Sequence, residues 1–384
     1  MLYSYSFADR KRDLGTVLST VIKEEPRFIS NFQPAADAAM QKHEWLEDQI
    51  CGRGFTAAGA AGGVLTLSPA DAAKLHKNML VSLKDSPALF AVSAVNGTSV
   101  TVTLAAANGS GIDSADDLPA AGGKFIIVST PMSEGTTNGD GEENYAIAGS
   151  QWNATQIFRK EIVISGSALA VNLYGSADNQ LNRQTAFALS DLARDLNRVA
   201  LFGRRVEPAA GVNGEAGGLY YFAGSNGLEI DAAACVLDSF VINDAAQKVL
   251  GEGGEPVQIL CSPGQARVIS NEYRDRLQIL RSDDRRGAYV AVIVNEINGR
   301  GMTIMADPDM PDTDVWVVDT ACFGIASLAG RGITDSDATP NGFDGIRRVA
   351  IGELTFEFRN VKQRCCRIKN LLASTEAIAS LRNN

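Results

Sequence analysis

Histidine is almost missing from this chain. Two occur in 384 residues, His43 and His76. Imidazole is the side chain most used for acid–base work near neutral pH and for metal binding, so its scarcity argues against hydrolytic and metal-dependent enzymes. His43 opens HEWLE, which lacks the second histidine of a zinc-binding HExxH helix because position 47 is Glu. His43 is expected on a helix surface, and His76, among polar residues, on the surface too. Cysteine is sparse and badly spaced for chemistry. Cys51, Cys235, Cys261, Cys322, Cys365 and Cys366 form no CxxC pair, and adjacent Cys365 and Cys366 do not readily face one metal. Reduced, mostly buried thiols in a cytoplasmic protein are expected. No apolar run reaches the roughly 18 residues of a membrane span, and MLYSYSFADRKRDLG has no apolar signal core, so neither a membrane protein nor a signal peptide is expected. Basic charge is short as well. The net charge of −10 fits poorly with sequence-specific DNA recognition, which needs cations against phosphates.

One absence is local. From Gly54 to Phe158 there is no arginine, and the only lysines are Lys74, Lys77, Lys84 and Lys124. Across this stretch the apolar pattern has period two. Val64–Leu67, Met79–Leu83, Ala88–Val95, Ser99–Leu104 and Lys124–Ser129 read as five short strands. Asn96-Gly97 is a strong hairpin signal, since both residues tolerate the positive φ of a type I′ turn. Five such strands suggest a small barrel or sandwich inserted at about 63–131. The polar, Gly-rich Met132–Gly149 reads as a mobile linker.

Elsewhere helical and extended patterns alternate, which reads as an α/β chain carrying the β-module as an insertion. DLGTVLSTVIKEE places Leu14, Val17, Leu18, Val21 and Ile22 on one helical face before Pro26, and ADAAMQKHEWLEDQI continues in helical character. Glu161–Val171 reads as a half-buried strand. A long helix follows, with Leu181, Ala188, Leu192, Leu196, Val199 and Phe202 in one stripe. The stripe is too short for a coiled coil on its own, so a core-facing helix is expected. A further helix runs through AACVLDSFVINDAAQKVL, with Leu237, Phe240, Val241, Ala245 and Val249 on one face. EPVQILCSP reads as a buried strand whose Ser262-Pro263 caps the helix GQARVISNEYRDRLQ. AYVAVIVNEI and RGMTIMAD flank the turn Asn298-Gly299 as a hairpin, and the strands VWVVD and FGIASL follow. Leu354, Phe356 and Phe358 alternate with Thr355, Glu357 and Arg359, as in a strand with one wet face.

Motifs for chemistry fail on inspection. AAGGKF (120–125) lacks the first glycine and the Ser/Thr of a phosphate loop, and AGSNG (223–227) has Ala where a nucleophile elbow needs Gly. Asp307, Asp309, Asp312 and Asp314 crowd one loop without calcium-loop spacing, and a solvated turn is expected. Arg347, Arg348, Arg359, Lys362, Arg364, Arg367 and Lys369 interleave with Glu353 and Glu357, which suits intersubunit ion pairs as well as nucleic acid. No catalytic, cofactor-binding or metal-ligating residue is expected, and no enzyme.

The segments TQIFR…ISGSA (Thr155–Ala168) and NQL…DLNRVALF (Asn179–Phe202) resemble those of the SU10-like major capsid proteins of tailed phages. So do EEPRFISNF (Glu24–Phe32), HEWLEDQI (His43–Ile50), QILCSPGQARVIS (Gln258–Ser270) and VWVVDTACFGIASLAGR (Val315–Arg331), in family order. The resemblance implies an HK97-type shell fold of the α+β class. Residues 1–50 would be the N-terminal arm, 51–165 the extended loop with its inserted β-domain, and 166–206 the peripheral domain's spine helix and strand. Residues 207–342 would be the axial domain, 343–372 the peripheral domain's long strands, and 373–384 a tail. It implies self-assembly into hexamers and pentamers of an icosahedral head enclosing double-stranded DNA, which the protein touches without sequence preference. Scaffolding, portal and decoration proteins are the implied partners, with assembly in the host cytoplasm and residence in the virion. An acidic wall that does not stick to packaged DNA suits this reading. The alternatives are an encapsulin-like nanocompartment shell protein, or another structural virion protein such as a tail or decoration component.

Overall fold

A strand covered on both faces reads as an unbroken apolar run, and the runs VWVV (315–318) and ILC (259–261) lie where that rule puts them. The computed structural model describes residues 26–47, 53–84, 86–119, 122–132, 149–170, 180–224, 227–272 and 291–383. The helix expected over Leu14–Ile22, most of the linker Met132–Gly149, the strand end Val171, Cys51 and the far end of the helix after Ser262 lie outside the described residues. Two compact units are present: Met1–Glu47 with Ser150–Asn384, and Asp48–Gly149.

The first unit holds two larger sheets. The six-stranded sheet runs Leu228–Asp231, Cys365–Lys369, Val315–Val318, Gln258–Cys261, Gly301–Ala306, Val292–Val294. Along its centre Val315 and Val317 point into one hydrophobic cluster, with Ile242, Val249, Ile259, Val268 and Ile368. Trp316, Val318 and Leu260 point into the other. The second sheet pairs Gln33–Pro34, Phe323–Ser327, Gly345–Phe358 and Gln156–Ser165 in that order, and Thr334–Asp337 also pairs with Gly345–Phe358. The helix Gln180–Phe202 packs on Gln156–Ser165 and Gly345–Phe358. The chain's few aromatics are pooled here. Phe28, Phe32, Phe158, Phe222, Trp316, Phe323, Phe356 and Phe358 share one core, with Phe28–Phe323 and Phe222–Phe358 centroids 5.2 and 5.1 Å apart.

Several expectations need correction. HEWLE is not helical: Lys42–Glu47 is a strand paired with Gly149–Ala154. Its alternation buries Trp45 and exposes Leu46, a period-two pattern. The strand Gln156–Ser165 ends in a short helix, Gly166–Ala170, rather than continuing. In the helix Gln180–Phe202 the buried residues are Leu192, Leu196, Asn197, Ala200 and Leu201, and Phe202 is exposed. The helix Ser239–Gly251 buries Ile242, Ala245, Ala246 and Val249, and Phe240 faces out. Gly345–Phe358 has no wet face at its far end, since Glu353, Thr355 and Glu357 are buried. The sheets also cross the 207–342 and 343–372 boundaries. Phe323–Ser327 pairs with Gly345–Phe358, whereas Cys365–Lys369 pairs with Val315–Val318 and Leu228–Asp231. The single turns Thr320–Cys322 and Val361–Arg364 carry the chain from one sheet to the other.

The second unit is a seven-stranded antiparallel sheet. The five expected strands are present, and two more precede them, Gly54–Thr56 and Gly59–Ala61. These two consecutive stretches form opposite edges of the sheet. Ala57 N–H donates to Gly123 O and Ala58 N–H to Thr66 O, both at 2.8 Å, so the sheet curls towards a barrel. Phe90, Val92, Val100, Val102, Phe125 and Ile127 are buried in its own core, with Leu83 packed against them. The module therefore begins at about Gly54, not Gly63. Its hairpin turn also differs in detail. Asn96 pairs with Ser99, and only Gly97 takes positive φ, at 59°, so Gly97-Thr98 is the loop, with glycine at the first central position.

Candidate assembly site: buried anchors and an open cleft

The aspartate-rich loop is not a solvated turn. Asp307 is 0 % exposed, and Asp309 and Asp314 are nearly as covered. Asp307 Oδ2 accepts from the backbone N–H groups of Arg27 (3.1 Å) and Phe28 (2.8 Å). These open the 3₁₀ turn Phe28–Asn31, whose own N-cap supplies no side-chain bond, so Asp307 supplies the capping acceptor from 280 residues away. Asn197, buried mid-helix, donates to Asp307 and Asp309 and accepts from Ile29 N–H at 3.0 Å. Asp312 accepts from Ser262 Oγ and from Ser374 N–H, each at 2.6 Å, and Asp314 accepts from Tyr220 Oη and Arg367. The loop thus ties the N-terminal segment, the long helix and the C-terminal helix to one sheet. Among the described residues no group of three His, Cys, Asp or Glu is arranged to hold a metal ion.

A second polar seam lies over Gly345–Phe358. Glu357 accepts from His43 Nε2 (2.6 Å) and Arg359 Nε (2.8 Å). Burial pushes the Glu357 carboxyl up, but His43 and then Arg359 outweigh it and hold the group below the usual carboxylate range. Glu353 accepts from Thr155 Oγ1 (2.6 Å) and pairs with Arg331 (3.1 Å). His43 is therefore a buried-pair partner on a strand, not a helix-surface residue. His76 is exposed, as expected. Gly122 and Gly123 lead into the strand Lys124–Ser129 rather than into a helix, and residues 219–231 run helix to strand, opposite to a nucleophile elbow.

The basic stretch is mostly neutralised within the chain. Arg348 pairs with Asp335, Arg359 with Glu357, Arg364 with Asp319, Arg367 with Asp314, and Lys369 with Glu229. Intersubunit pairs are thus not needed for these five. Lys362 differs. It lines an open cleft of about 620 Å³ together with Arg205, Tyr220, Tyr221, Phe222, Phe358 and Asn360. Arg205 donates to Trp152 O (3.0 Å) and stacks 4.0 Å from the Trp152 ring. Large apolar side chains are exposed elsewhere, among them Phe240, Val292, Val294 and Ile297. The last three lie on and beside the edge strand Val292–Val294. These features were not visible in the sequence, because the strand Lys42–Glu47 and the loop after Phe358 meet only in the fold.

A family model described as SU10 major capsid protein matches residues 3–372. No curated protein matches the chain. Similar solved structures include the cyanophage A-1(L) capsid asymmetric unit, with TM-score 0.57, 11 % identity, and 97 % of this chain and 100 % of that chain covered. The capsid of the native GTA particle gives 0.55 and 9 %, covering 97 % and 100 %. A structure from Mycobacterium phage Adephagia gives 0.52 and 10 %, covering 96 % and 98 %. At these identities the likeness is one of fold.

Proposed function

The chain belongs to the SU10 major capsid protein family, and from that premise we propose how its parts divide the work of building a shell. It is a major capsid protein with the HK97-type fold, and its copies form the icosahedral capsid of the virion. The family match across residues 3–372 carries this conclusion.

In the proposed division, residues up to about 50 act as an arm. The paired strands Lys42–Glu47 and Gly149–Ala154 form the base of the extended loop, and Asp48–Gly149 is its inserted domain. The five-stranded sheet with the helix Gln180–Phe202 forms the peripheral domain, and the six-stranded sheet the axial domain. Pentamers and hexamers are the assembly units. Exposed Val292, Val294 and Ile297 support association through the axial sheet's edge. Modest contacts multiplied round a closed lattice give a stable whole. Double-stranded DNA is the content, met by an acidic protein without base recognition. Scaffolding, portal and decoration proteins are proposed partners, the host cytoplasm the place of assembly, and no catalysis is assigned. Native mass spectrometry of the purified chain tests the unit: pentamers, hexamers or larger closed species are expected. Subunit mass alone at every salt and concentration contradicts it.

A further inference from the structure

The cleft beside Arg205 and Lys362 stands out by its charge. Its neighbours in sequence are neutralised: Arg204 by Glu215, Arg359 by Glu357, Arg364 by Asp319. Among the described residues Arg205 and Lys362 have no carboxylate partner. The one acid in the wall, Glu47, is occupied, since its Oε1 accepts from Trp45 Nε1 (3.0 Å) and Asn360 N–H (2.9 Å). Tyr221, Phe222 and Phe358 supply apolar wall. The cleft therefore suits an extended acidic peptide carrying an aromatic or aliphatic residue.

The chain contains one such segment outside the described residues. Residues 133–148, SEGTTNGDGEENYAIA, carry Glu134, Asp140, Glu142 and Glu143 with no Lys or Arg, and Tyr145 and Ile147 follow. The others do not compete. Residues 1–25 balance four acids with four bases, 273–290 carry five bases against three acids, and 171–179 carry only Asp178. Gln151, three residues after the segment in sequence, is already part of the cleft wall. In a closed shell copies of the chain pack side by side, so a neighbouring copy's segment is an occupant that arrives with assembly. We propose that this cleft receives the acidic segment 133–148 of a neighbouring copy, so that the contact forms only on assembly. The inference rests on the capsid reading and names one of its contacts.

A photo-crosslinking residue at Lys362 in the full chain, assembled from mixed light- and heavy-isotope subunits, tests it. Mixed-isotope crosslinked peptides containing residues 133–148 are expected. Lys362→Glu should reduce assembled particles while leaving the subunit's melting temperature unchanged, and E142K/E143K in the same chain should restore them. Crosslinks to any other segment, or only within one copy, overturn the proposal while leaving the capsid reading intact. A wild-type chain that never associates overturns both.

Discussion

Asp307 gathers four donors, the N–H groups of Arg27, Phe28 and Asp309 and the Asn197 amide, with no exposed surface. Removing such an acceptor leaves buried donors unpaired, at about 1–3 kcal/mol each where water does not enter. Asp307→Ala should therefore cost at least about 2 kcal/mol in chemical denaturation, and protease should cut first near Arg27; unchanged stability contradicts the clamp. Glu357 gives a pH signature. Its folded carboxyl sits below the usual value, so its stabilising contribution is present above that value and is lost as pH falls through the lowered one. The melting temperatures of wild type and Glu357→Gln should differ at pH 7 and converge on acidification below about pH 4. Parallel curves would mean that Glu357 contributes no proton-linked stability. Thiol chemistry follows burial. Burial pushes Cys261 and Cys366 up to about 12, and Cys322 well up too, whereas Cys235 is exposed. Native-state alkylation read by peptide mass spectrometry should modify Cys235 and spare Cys261, Cys322, Cys365 and Cys366.

At the scale of elements, the helix Gln180–Phe202 is the clearest test. Leu192 and Leu196 are 2 % and 5 % exposed and Leu189 is 40 % exposed. Leu192→Ala should cost about 2–5 kcal/mol and Leu189→Gln about 0.5 or less; equal costs would mean the packing face is misplaced. Periodicity made the helix, the hairpin at Asn298-Gly299 and the capped helix after Ser262 legible, because each is set by neighbours in sequence. Gln265 N–H does donate to Ser262 Oγ, at 3.1 Å. HEWLE misled because five residues satisfy helical and extended patterns alike, and pairing with Gly149–Ala154 decides between them. The wet face expected of Thr355 and Glu357 failed for a similar reason. Their partners, Ala154 O and His43, come from distant chain, and a buried carboxylate with two donors looks in sequence like an exposed one. The four aspartates were visible as a cluster, but what they bind lies as far away as Arg27 and Ser374.

At the scale of the whole molecule, the inserted unit has its own core and its own sheet. The strands flanking it, Lys42–Glu47 and Gly149–Ala154, are hydrogen-bonded to each other. Joining Glu47 to Ser150 with a short Gly/Ser linker should leave the remainder folded, with one cooperative melting transition close to that of the full chain. Loss of soluble protein would show that the unit is not separable. A capsid role requires closure of many copies into one lattice, and the open cleft and the exposed edge strand are the contact surfaces proposed for it. Cryo-electron microscopy of the chain expressed alone or together with a scaffolding protein tests that claim most directly. Closed icosahedral shells are predicted, with the long helix, the two sheets and the inserted barrel recognisable in every subunit. A folded protein that stays strictly monomeric in every field and under every condition would contradict it.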